Sequence, residues 1–215
     1  MPVGSERAPD PQRWFRRLKP LVFLACLGPA AMLSYRAMTG TLGAEPIDEI
    51  TGVTGQWTLR MLLITLLITP LRQLTGWHGL IRWRRMLGLF AFSYAVLHFL
   101  TYVVLDQFFA WNFIIEDIIE HPYVLVGFTA FILLLPLAFT STDAMVRRLG
   151  GRRWRRLHRL AYLVPVLGVL HFWWQVKSDI SEPAVYSLLL SVLLASRLRR
   201  PQPRATGAAP PATPG

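Results

Sequence analysis

The sequence predicts an all-α, polytopic membrane protein of six transmembrane helices with both termini cytoplasmic, and three observations carry that prediction. Hydrophobic residues make up 53% of the 215 positions and charged residues only 16%, with a mean hydropathy of +0.38, whereas soluble domains run near roughly 25% charged. The apolar residues gather into six blocks. The basic residues fall in alternate connections between those blocks.

The blocks run in order as Pro20–Tyr35, Trp57–Leu71, Met86–Leu105, Tyr123–Phe139, Leu160–Val176 and Pro183–Ser196. The third, fourth and fifth contain no Asp, Glu, Lys or Arg and meet the roughly 17–25 apolar residues that a spanning helix needs. The other three borrow flanking residues or accept local bilayer thinning. The first, behind a basic stretch, also has the form of a signal peptide. Pro29 and the lack of a small-x-small cleavage site favour a retained anchor. Residues 1–14 and 201–215, rich in Pro, Ala and Gly, are expected to be disordered cytoplasmic tails around one membrane domain at 15–200.

Charge supplies the orientation. With the N-terminus inside, 20 of the 23 Lys and Arg residues lie in the four inner segments, seven of them between Arg147 and Arg159. Nine of the 12 acidic residues lie outside, among them Glu45, Asp106, Asp117 and Glu182. Lys/Arg bias in short loops sets topology, and every loop here agrees. The net charge of +11 is thereby accounted for by topology and anionic membrane lipids, and no nucleic acid is called for. The one cysteine, Cys26, excludes structural disulfides, thiolate zinc sites, iron–sulfur clusters and covalent C-x-x-C-H haem attachment.

Ionisable side chains inside spans are costly and mark function. His98 lies twelve residues into the third span from Met86, and His171 twelve residues into the fifth from Arg159. At about 1.5 Å per residue both sit roughly 18 Å deep, toward the outer side. Two imidazoles at matched height on helices running the same way meet the requirement for axial ligation of one haem iron, held between helices 3 and 5. Depth and spacing alone also fit copper or another metal, or two hydrogen-bonded bundle histidines. The aromatic surroundings, Phe90, Phe92, Tyr94, Phe99, Tyr102, Phe172, Trp173 and Trp174, suit a flat macrocycle, although Trp173 and Trp174 also suit an interfacial belt. His158, thirteen residues before His171 at the inner edge, is off its face on an ideal helix. It is a candidate for a second haem, a haem propionate, a flavin phosphate or a quinone head group, or an interfacial histidine among arginines. Arg84 occupies the matching position on the third span. His78 and His121 read as structural or solvated.

The stretches RRMLGLFAFSYAVLHFLTYVVLD at Arg84–Asp106, TST at Thr140–Thr142 and RRLGGRRWRRLHRLAYLVPVLGVLHFWW at Arg147–Trp174 resemble the MsrQ (YedZ) family of haem-binding membrane subunits, within the ferric reductase and NADPH oxidase transmembrane superfamily. The likeness covers about residues 15–200. It implies haem b and FMN as cofactors, with His98 and His171 as haem ligands and His158 tied to a possible second haem. It also implies electrons taken from respiratory quinones, or from a cytosolic flavin reductase, across the bacterial inner membrane. Their acceptor would be a periplasmic MsrP-like molybdopterin reductase that repairs methionine sulfoxide. The superfamily carries a His pair on each of two helices, and Arg84 departs from that pattern. Gly150-Gly151, followed by arginines, suits a phosphate and equally a turn.

The chain therefore reads as the electron-transfer subunit of an oxidoreductase complex rather than its catalytic subunit. Past Arg200 only fifteen residues follow, without G-x-G-x-x-G, so a nucleotide-binding domain is not expected. Two alternatives stand beside this. A stand-alone cytochrome b reducing ferric ions or quinones would have no molybdoenzyme partner. A proton-coupled transporter would show paired broken helices, and Pro29, Pro70, Pro136 and Pro165 form no repeat. The acidic outer connection Asp106–Glu120 is a docking candidate on charge alone.

Overall fold

The computed structural model describes residues 11–176 and 179–198. All regular structure among them is helical: α1 (Pro11–Met38), α2 (Pro46–Thr75), α3 (Ile81–Leu100), α4 (Trp111–Glu120), α5 (Pro122–Phe139), α6 (Asp143–Leu149), α7 (Gly151–Leu157), α8 (Leu160–Gln175) and α9 (Ser181–Leu198). The expected tails beyond these ranges lie outside the described residues, as do Lys177, Arg199 and Arg200. Residues 11–14, expected in the N-terminal tail, are already helical.

Each boundary has a local cause. Pro46 and Pro122 open α2 and α5, where a missing N–H costs nothing and the fixed φ favours the helix. Gly76 closes α2 at φ 71°, its N–H returning to the Arg72 carbonyl, a left-handed cap that glycine adopts without penalty. Thr142 caps α6 by accepting from the Met145 N–H. Helix α3 runs on through a wider π-helical turn, Thr101–Asp106, and the chain then reverses through Phe108 and Phe109, both at positive φ.

Among the described residues, four segments are long and apolar enough to cross a membrane: Arg16–Met38, Pro46–Thr75, His78–Asp106 and Pro122–Phe139. Helix α8, at 16 residues, is shorter, and α9 carries Glu182 and Arg197. The exterior is strongly apolar, with Phe23, Leu67, Leu89, Leu125, Ile132 and Leu188 all exposed, the surface a lipid solvent requires. The chain is a multi-pass membrane protein. Two connections expected as plain loops fold further. Asp106–Glu120 contains α4, which buries Ile114 and leaves Trp111, Phe113 and Ile119 exposed, and the arginine-rich connection contains α6 and α7.

The core has two parts. Met61, Leu62, Leu87, Ala91, Leu134 and Val164 join α2, α3, α5 and α8; Leu59, Leu63, Leu66, Val169, Tyr186 and Leu190 join α2, α8 and α9. The closest pairings are α2 with α3 and α5 with α8. Charge inside a span is matched by polar partners. Arg60 donates to the Tyr186 hydroxyl at 2.8 Å and to Gln56 at 3.1 Å, and lies over the Trp57 ring. Tyr94 donates to the Cys26 carbonyl at 2.8 Å and accepts from the Ala30 N–H at 3.2 Å. Its hydroxyl is thus inserted into the ladder of α1 one residue after Pro29, where the helix is already interrupted.

Candidate functional site

Two helix pairs face each other and each presents one histidine. The His98 and His171 ring centroids are 6.2 Å apart with planes inclined at 79°. His98 Nδ1 lies 3.0 Å from the carbonyl oxygen of Thr51 on α2, and His171 Nδ1 lies 2.7 Å from that of Tyr123 on α5. A carbonyl can only accept, so each Nδ1 carries the proton and each Nε2 keeps its lone pair. Metal-bound histidines are held in this way, the second ring nitrogen donating to a backbone carbonyl.

Two glycines make the approach possible. A Cβ on Gly55 would stand 3.0 Å from His98 Cε1, and one on Gly127 would stand 2.7 Å from His171 Nδ1. Each glycine comes four residues after the accepting carbonyl, so its own N–H is that carbonyl's helical partner. The absent side chain leaves the carbonyl open to an imidazole from the neighbouring helix. The same device is built twice, on α2 for His98 and on α5 for His171.

Between the pairs lies a cavity of about 600 Å³, lined by both histidines, Gly55, Gly127 and Gly168 and by Phe99, Phe128, Phe131 and Phe172. The volume is in the range of cofactor pockets. Its polar lining comes from Asp48, Gln56, Tyr102, Asp106 and Asp117, and Tyr102 donates to Asp117 at 2.6 Å. Among the described residues no cluster of three or more His, Cys, Asp or Glu side chains forms. A bare ion would therefore have two protein ligands, short of the usual four. A macrocycle brings its own equatorial donors. With Nε2 facing Nε2, metal–nitrogen bonds of about 2 Å on each side, added to the half-widths of two imidazoles, would span the 6.2 Å between the rings. The residues fit a haem.

The sequence-predicted aromatic set is only partly at the cavity. Phe99, Tyr102 and Phe172 line it, while Phe90 and Tyr94 face α1, Phe92 packs on Phe131 and Phe139, Trp173 donates to Ser187, and Trp174 is exposed. The aromatics contributed by α5, Tyr123, Phe128 and Phe131, were not singled out, nor were Gly55 and Gly127. Glycines within otherwise apolar spans mark close approach and are the signal that points to them.

His158 stands apart, at the junction of α7 and α8 rather than on the His171 helix. Its Nε2 lies 3.0 Å from Thr140 Oγ1. That hydroxyl donates to the Pro136 carbonyl, so Nε2 is the donor. The ring stacks on Trp154 at 3.9 Å, and the Trp154 indole donates to the Thr140 carbonyl. Burial, and then the nearby Arg84 charge, hold the imidazole below its ordinary pKa. Neither described cavity is lined by His158, Gly150 or Gly151. His121 pairs with Asp117 at 2.9 Å, consistent with a structural role.

Residues 54–169 match the family described as ferric reductase like transmembrane component. The protein-methionine-sulfoxide reductase heme-binding subunit MsrQ of Xanthomonas campestris pv. campestris (strain 8004) is 52% identical over 207 residues, covering 91% of this chain and 94% of that protein. The chain belongs to the MsrQ family. The protein of the same name from Herminiimonas arsenicoxydans is 50% identical over 183 residues, 84% of each chain.

Proposed function

We propose that this chain is the haem-carrying membrane subunit of a methionine-sulfoxide reductase system, with His98 and His171 as the two axial ligands of one haem b. The observation that carries the reading is the paired geometry. Two half-buried imidazoles, each fixed by a backbone carbonyl through Nδ1 with Nε2 left unprotonated, line one cavity of cofactor size. The names of the MsrQ relatives support it. The haem would supply reversible one-electron chemistry; the chain's own residues hold, orient and insulate it.

Six spans, with both termini cytoplasmic in the bacterial inner membrane, complete the proposal, α8 and α9 being the last two. The Lys/Arg distribution supports that orientation. It puts the His98–His171 cavity on the periplasmic side, within reach of a periplasmic molybdenum-dependent acceptor. The donor would be respiratory quinol or a cytosolic flavin reductase. For His158 the geometry favours positioning of α7 against the end of α5, since a second haem there would require its bond to Thr140 to be given up. No FMN site is assigned to the described residues.

The test is a reduced-minus-oxidised spectrum of the purified protein, with His98→Ala and His171→Ala alongside. A Soret band in the native protein and loss of most haem from each variant are expected. No band in the native protein would end the haem reading, and full retention by both variants would sink the ligand assignment alone.

A further inference from the structure

Helix α4 joins two segments that are each long and apolar enough to cross a membrane, His78–Asp106 before it and Pro122–Phe139 after it. Both ends of the connection are therefore held at one membrane face. Its ten residues reach only about 15 Å, half of a hydrocarbon core about 30 Å thick, so α4 lies along that face. Its side chains fall into rows at i, i+4 spacing. Ile114 and Ile118 face the protein, the first buried and the second lining the histidine cavity. Asp117, beside Ile114 round the helix, accepts from Tyr102. Trp111, Ile115 and Ile119 form the next row and are 59%, 57% and 73% exposed. Asn112, Glu116 and Glu120 form the row after that, also exposed. At about 100° per residue the protein-facing, apolar and polar rows follow one another round the axis. Phe109 extends the apolar row, its ring 6.2 Å from that of Trp111. Phe113 stands beyond the polar row and belongs to neither.

We infer that α4 is an interfacial helix, its Trp111, Ile115 and Ile119 row resting on lipid and its Asn112, Glu116 and Glu120 row turned to water. A helix laid along the rim of a membrane protein has three neighbours, protein, lipid and water, and three rows of matching character answer to them. The adjoining spans expose apolar residues close to it in sequence, Leu105 before and Leu125 after. Tryptophan suits that depth, since aromatic rings collect at membrane interfaces. Helices that find a membrane unaided carry Lys and Arg for anionic lipid. Helix α4 carries neither; the flanking spans deliver it, and its acidic row fits a zwitterionic surface. Through Asp117 and Ile118 the lipid boundary then sets one wall of the histidine cavity. A second copy of the chain is the competing occupant of the apolar row. Neither haem binding nor the sidedness of the membrane enters into this assignment.

Spin labelling of the full chain in phosphatidylcholine nanodiscs tests it, with Cys26→Ala as the background. Ile115→Cys and Ile119→Cys sample the apolar row, Asn112→Cys and Glu116→Cys the polar one. At 115 and 119 collision with dissolved oxygen should be high and with a water-soluble nickel chelate low. At 112 and 116 the order should reverse, one residue's rotation apart. Equal nickel access at all four positions would overturn the proposal, leaving the apolar row open to water. Exclusion of both oxygen and nickel at 115 and 119 would overturn it as well, with dipolar broadening marking a second copy as the occupant. Should a labelled variant fail to fold, wild type decides, in nanodiscs of phosphatidylcholine bearing a diazirine at the head of its acyl chain. Photo-adducts on the α4 peptide are expected beside those on the spans, and adducts on the spans alone would sink the assignment.

Discussion

His171 Nδ1 lies 2.7 Å from the carbonyl oxygen of Tyr123, and the side chain that would block this approach is missing because residue 127 is glycine. His98 repeats the arrangement on Thr51 and Gly55. The imidazoles are thus aimed by backbone atoms of neighbouring helices, which do not titrate and cannot rotate away. An imidazole held in this way has little ordering left to do on binding a metal.

Gly127→Ala is expected to expel most of the haem, because its Cβ would sit 2.7 Å from His171 Nδ1 and force a shift costing about 1–3 kcal/mol. Gly55→Ala, with contacts of 3.0 and 3.1 Å, should lose less. Gly168→Ala meets only Leu59 at 3.6 Å and should keep its haem. The haem-to-protein ratio across the three variants checks the order.

Tyr102→Phe removes a 2.6 Å hydrogen bond to Asp117 and with it the tie between the end of α3 and α4. A bond to a charged acceptor contributes about 1.5–3 kcal/mol. Faster hydrogen exchange in α4, without loss of haem, is the expected result.

Tyr94→Phe leaves the Cys26 carbonyl and Ala30 N–H without their inserted partner. The ladder of α1 can close over part of the gap, so a loss of about 1 kcal/mol is expected. A lowered unfolding midpoint, with exchange rising at Cys26–Ala30, would bear this out.

Thr140→Val deletes the acceptor of His158 Nε2 and should loosen the Trp154 stack while leaving the haem content unchanged. Trp fluorescence reads the first effect and the Soret band the second. Because burial and Arg84 lower the His158 pKa in the folded chain, the unfolded chain binds its proton more readily. Stability should therefore fall as pH drops below the ordinary imidazole value of about 6.5, and the fall should be smaller in His158→Gln.

Much of the architecture can be read without coordinates. Block length, the scarcity of charge within blocks and the arginines between them identify a multi-pass helical bundle, since lipid imposes those constraints on the chain segment by segment. Equal depth implies that His98 and His171 can meet, because helical rise is constant, and their rings lie 6.2 Å apart. What the linear chain could not reveal was which neighbour each imidazole would touch. Rotation about a helix axis is set by packing, so the carbonyls of Thr51 and Tyr123, the glycines that uncover them and the α5 aromatics emerged only when α2 met α3 and α5 met α8. The same cause removed Phe90, Tyr94 and Trp174 from the expected pocket: aromatic residues on one helix point in several directions, and tertiary contact selects the face. His158 shows the limit most plainly. Its spacing from His171 assumed one continuous helix, whereas the chain turns at the junction of α7 and α8 and hands that side chain to Thr140 instead.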